Sequence, residues 1–82
     1  MKKEELKELI RKFALQNAIG FDGKANPGAI IGKVLSQVPE MKDDMKGLAL
    51  EVNAVISEVN KIPVEEQKKM ILALEPNYFD EQ

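Results

Sequence analysis

The sequence predicts an all-α protein, a compact bundle of about four helices filling residues 1–75 of the 82. Three observations carry that prediction. Apolar residues recur at spacings of three and four in four separate segments, and no segment shows the sustained alternation of a strand. All four prolines and two of the five glycines fall at or between the ends of those segments, where they stop one helix and start the next. Apolar residues make up 44% and charged residues 32%, enough to build one modest core and too apolar for a disordered chain.

The first helix is expected over residues 2–19. Leu6, Leu9, Ile10, Phe13 and Ala14 form one apolar stripe, and Gly20 can close the helix in the left-handed conformation. A loop follows, Gly20 to Ala25. Asn26-Pro27 then marks a helix start, because asparagine caps well and proline lacks an N–H that would be unpaired there. The second helix, 27–38, carries Ile30, Ile31, Val34, Leu35 and Val38, and its apolar character predicts the most buried helix. Gly28 and Gly32 lie one turn apart on it and cost about 1 kcal/mol each relative to alanine. Close approach by another backbone is the expected compensation.

Pro39 opens a third helix, 40–60, with Met45, Leu48, Ala49, Val52, Ile56 and Val59 on one stripe. Ile62-Pro63 restarts the chain for a fourth, 63–75, with Glu65 and Glu66 suited to the positive end of its dipole. Pro76 ends it, and residues 76–82 read as an exposed tail. Short loops imply that successive helices pack together.

Composition excludes much chemistry. The chain has no cysteine and no histidine. That removes disulfides, thiolate metal sites, the usual zinc ligands and the histidine-based catalytic arrangements. Apolar runs of three or four residues are far short of the roughly 20 a membrane span needs, and Met1 to Leu6 lacks the apolar core of a secretory signal. A soluble cytoplasmic protein is the expectation.

Net charge is −2, but its distribution is uneven. Residues 1–37 hold seven basic groups against four acidic ones, and residues 38–82 hold five against ten. A polyanion would therefore meet the first half. Within it, Gly23-Lys24-Ala25-Asn26-Pro27-Gly28-Ala29-Ile30-Ile31-Gly32-Lys33 joins a glycine turn, two lysines and a capped helix start. A helix N-terminus attracts phosphate, and Gly28 would let a phosphate or sugar approach the backbone. The candidate RNA-binding residues are Lys24, Asn26, Gly28 and Lys33, with Arg11 and Lys12 joining if the fold brings them near. The residues leave a second reading equally open, in which the small side chains serve helix packing. A nucleotide P-loop is excluded: only three residues separate Gly28 from Gly32, and Val34 stands where a hydroxyl is needed.

The combination of Leu15-Gln16-Asn17-Ala18 with Gly23-Lys24-Ala25-Asn26-Pro27-Gly28, followed by Glu58-Val59-Asn60, resembles the N-terminal extension of archaeal-type glutamyl-tRNA synthetase. The resemblance runs from about Leu6 to Leu74. A fainter one links Gly23 to Pro27 with the tail domain of tRNA-dependent amidotransferase B subunits, which hold tRNA. The extension of eukaryotic glutaminyl-tRNA synthetase is similar in kind. The resemblance implies a parent ligase that joins glutamate to tRNA with ATP and Mg²⁺ on a catalytic domain absent here. The His-Ile-Gly-His signature of that domain cannot occur without histidine, and Lys68-Lys69-Met70-Ile71 is no version of its Lys-Met-Ser-Lys-Ser loop. The chain is thus expected to be a non-catalytic appended domain with no metal or cofactor of its own, residues 76–82 beginning a linker. Its partners would be tRNA and the catalytic domain.

An alternative keeps the resemblance but makes the domain a docking module for another synthetase or a translation factor, through the acidic third and fourth helices and an exposed Met41. Among the remaining polar groups, Gln16 and Asn17 are expected to bond the loop backbone and Asn60 to cap the third helix. Asp43 and Asp44 are too poor a set for a metal. Tyr78 and Phe79 are expected to lay their rings on the helices, so no stacking platform for single strands is apparent.

Overall fold

A computed structural model describes residues 3–80 and confirms the all-α class. Among these residues there are four α-helices and no strand: α1 (Lys3–Gly20), α2 (Pro27–Gln37), α3 (Met45–Val59) and α4 (Val64–Leu74). The expected starting residue Lys2, and Glu81 and Gln82 of the tail, lie outside the described residues. The bundle measures 35 × 24 × 20 Å.

The core is built around α1, which packs against α2, α3 and α4. Ile10, Ala14, Leu15 and Ala18 are fully buried and Phe13 nearly so. Leu15 lies off the single stripe read from the sequence. It is buried because α1 has neighbours on three sides, not one. Covering a side chain such as Ile10 or Leu15 contributes about 1.5–3 kcal/mol. On α2 only Ile30 and Val34 are buried, with Val38 just beyond its end. The expectation that α2 is the most buried helix therefore fails. The helix meets α1, α3 and the 3-10 turn after it, yet Gly28, Ala29, Gly32, Lys33 and Ser36 remain exposed.

The third helix also begins later than expected. Residues Pro39–Asp44 form a 3-10 turn, and α3 starts at Met45. Asp44 sets that boundary: its Oδ1 accepts the Gly47 N–H at 3.1 Å. A Cβ on Gly47 would overlap the same carboxylate, so glycine is what lets the cap close. Met41 in the 3-10 turn packs against the core, so it is not the exposed methionine anticipated.

Gly20 does not close α1 in the left-handed region; Asp22 does (φ 56°), followed by Gly23 (φ 87°). The Gly23 N–H reaches back to Ala18 O at 2.7 Å, the long closing bond of a helix terminus. The Lys24 N–H then bonds Phe21 O at 3.2 Å, so Phe21 to Lys24 form one tight turn with both central residues at positive φ. Asp-Gly suits that turn, since aspartate tolerates and glycine freely adopts the conformation.

The chain after Leu74 is not a loose tail. Residues 76–80 form turns, with the Tyr78 N–H on Glu75 O at 3.0 Å and the Tyr78 ring packed on the core. Phe79 meets Tyr78 edge-on at 5.1 Å and stays 39% exposed.

Candidate nucleic-acid interface

The loop between α1 and α2 is held by amide side chains from three helices or their ends. The Asn26 N–H bonds Asn17 Oδ1 of α1 at 2.6 Å, and the Ala25 N–H bonds Asn60 Oδ1, at the end of α3, at 3.0 Å. The third tie is Gln67 of α4. Its side chain is fully buried, and its Nε2 donates to Gly23 O at 3.1 Å, Val59 O at 2.9 Å and Ile62 O at 3.0 Å. Asn17 thus does what its position beside the loop suggested. Gln16 does not: its Nε2 faces Glu75 Oε2 at 3.3 Å. Asn60 occupies the C-cap position of α3, but its side chain serves the loop. Gln67 was not legible as a site residue. The available signal was its place in line with Met70, Ile71 and Leu74 on the apolar face of α4.

These ties present the start of α2 to solvent. Lys24, Asn26, Pro27, Gly28 and Ala29 are all exposed. Asn26 caps the helix as predicted, its Oδ1 accepting the Ala29 N–H at 3.2 Å. The Ile30 N–H goes to Asn26 O, and Pro27 has no N–H to offer. Among the described residues, Gly28 therefore carries the one first-turn amide without a protein acceptor. The helix end offers an anion a single backbone donor plus the dipole, a smaller cradle than the sequence suggested.

Lys24 has no carboxylate within 4 Å among the described residues. Nor does Lys33, whose ammonium lies 5.7 Å from the centre of the Phe13 ring, anchored to the α1 side of α2. Arg11 and Lys12 are engaged elsewhere. Arg11 pairs with Glu58 of α3 at 3.4 Å, and Lys12 with Glu75 after α4 at 2.6 Å. The candidate residues therefore divide into an unpaired set at the loop and α2, and two cations pinned by acids from the second half of the chain. Gly28 and Gly32 are exposed, and no protein backbone approaches either. A Cβ at Gly32 would meet nothing within 4 Å, and one at Gly28 only the Asn26 side chain. The expected close helix approach is absent.

No cluster of three or more acidic side chains suited to a metal occurs among the described residues, and no described helix is long and apolar enough to cross a membrane. What the loop presents is a held, cation-bearing surface.

Comparison with known proteins specifies the relationship. Over 94% of its length the chain is 46% identical to a glutamate–tRNA ligase of Pyrococcus furiosus. It is 45% identical to the Thermococcus kodakarensis ligase over 95% of the chain, and 36% identical to that of Methanopyrus kandleri over 84%. The chain is homologous to one segment of archaeal-type glutamate–tRNA ligase. It spans only 12–14% of these relatives' length, so it corresponds to a small part of a ligase and not to the whole enzyme. No protein-family model matches the chain, and no solved structure matches it.

Proposed function

We propose that the chain is an accessory tRNA-binding domain of a glutamate–tRNA ligase. It grips the sugar–phosphate backbone with Lys24, Lys33 and the Gly28 N–H, and so raises the local concentration of tRNA at the rest of the enzyme. Activation of glutamate with ATP and Mg²⁺, and its transfer to tRNA in the cytoplasm, are work for that remainder. The observation that carries the reading is Lys24: an exposed ammonium with no carboxylate within 4 Å among the described residues, on a loop fixed by three helices, in a chain similar to a segment of proteins named for tRNA. Arg11 and Lys12 stand in reserve, since each must first leave a carboxylate. Asp22, exposed at the turn, opposes an incoming phosphate and keeps the binding weak, while the lysine–phosphate contacts make it salt-sensitive.

Titration with tRNA across a salt series tests this. Lys24→Ala and Lys33→Ala should each weaken binding and lower the salt slope by about 1 for every phosphate that is no longer neutralised. Asp22→Asn, which keeps a side chain tolerant of positive φ, should tighten it. Absence of any interaction with tRNA at low salt ends the proposal.

A docking role has one observation in its favour. An open groove of about 330 Å³ lies between α1 and the ends of α2 and α4, floored by Leu9, Val38 and Leu74 and edged by Glu5, Glu8 and one cation, Lys12. It would suit an apolar, basic protein segment. Amide shifts at those residues on adding a protein partner, with none from Lys24 to Gly32 on adding tRNA, would favour this second reading.

A further inference from the structure

Phe21 is 64% exposed, although covering a phenylalanine contributes about 1.5–3 kcal/mol. Single exposed apolar residues are common, so exposure alone decides nothing. Position decides more. The Phe21 N–H is bonded to Ala18 O at 2.9 Å, and its carbonyl accepts the Lys24 N–H. The next turn residue but one, Gly23, is tied by both its N–H and its carbonyl. The backbone under the ring is therefore already fixed, so covering the ring orders only its two side-chain torsions. Lys24 is the other end of the same turn, and the Cα atoms of such ends lie less than about 7 Å apart. An exposed lysine and an exposed phenylalanine thus stand at the two ends of one tight turn, with the open start of α2 directly after it.

We propose that Phe21 is a base-stacking residue, and that the domain takes an unpaired nucleotide with its base on the ring and an adjoining phosphate on Lys24. The inference rests on the RNA-binding reading and specifies its substrate. Within a duplex both faces of a base are covered by neighbouring pairs, so a lone ring on a short turn cannot reach one. A loop, bulge or single-stranded end exposes such a face. Stacking on an aromatic tolerates any base, so the site selects for strandedness and not for sequence.

The chain contains no tryptophan, so Phe21→Trp introduces a single reporter at the site. The probes are oligouridylate, and the same strand paired with oligoadenylate. At low salt, oligouridylate should quench the tryptophan saturably, and the duplex should do so at least 5-fold less tightly. Phe21→Ala and Phe21→Leu should weaken single-strand binding by roughly 5- to 150-fold, whereas Phe21→Tyr should retain it. Circular dichroism checks that the helices are kept in each variant. If Phe21→Ala binds like the parent while Lys24→Ala is weakened, stacking is refuted and the phosphate grip stands. If neither nucleic acid nor tRNA binds any form of the chain, both proposals fall.

Discussion

Gln67 offers the sharpest test of how the loop is held. In Gln67→Met the side chain keeps its length and loses its amide. An amide nitrogen has two hydrogens, so at most two of the three carbonyls around it are fully satisfied at any moment. Without the amide, Gly23 O and Ile62 O lose their donor while Val59 O keeps the Ile62 N–H, at a cost of about 2–6 kcal/mol for the two. The substitution also removes Gln67 Oε1, which is buried without a partner, and that returns roughly 1–2 kcal/mol. At the middle of both ranges the expected net loss is about 2.5 kcal/mol, or roughly 10–20 °C in Tm for a domain of this size. Urea unfolding followed by circular dichroism measures it, with a lower midpoint at unchanged slope. The folded variant should also bind RNA less well, because Gly23 and with it the Phe21–Lys24 turn lose their tie to α4. A Gln67→Met protein as stable as the parent, or more so, would refute the clamp.

Two glycine substitutions probe the same region with opposite expected signs. Gly32→Ala should raise stability by about 0.5–1 kcal/mol, since the site is helical and a Cβ there meets nothing; a lower urea midpoint would mean that an unseen neighbour needs the space. Gly23→Ala should lower stability by roughly 1–3 kcal/mol, because φ is +87° and the new Cβ would lie 2.7 Å from Val64 Cγ2. Val64→Ala in that background should recover the steric part of the loss alone, and a full recovery would exclude backbone strain as a cause.

Much of the fold was legible in local chemistry. Asn26-Pro27 fixed the start of α2 to the residue, because a cap needs only its own neighbours. The periodic stripes located all four helices for the same reason. Most of what the sequence concealed depends on neighbours distant along the chain, though the Asp44 cap of α3 is local. Asp44 ends a 3-10 turn and begins α3, where Pro39 reads as the helix start although the apolar stripe begins only at Met45. Leu15 is buried only because α1 has three partners. In the site, Lys24, Asn26 and Gly28 were readable from the capping motif, and Asn17 from its place beside the loop. Gln67 was not, since glutamine on a helix ordinarily faces water. Phe21 reads as an ordinary loop residue until the turn places it next to Lys24. Arg11 and Lys12 look available in sequence because their partners, Glu58 and Glu75, are 47 and 63 positions away.

The three side chains that fasten the loop, Asn17, Asn60 and Gln67, are neutral carboxamides with no titratable proton. Acid, base and added electrolyte therefore act on them only weakly. The shape of this surface should stay constant over a wide range of solution conditions while its attraction for polyanions rises and falls. Occupancy can then be adjusted by the ionic surroundings alone, without any rearrangement of the polypeptide.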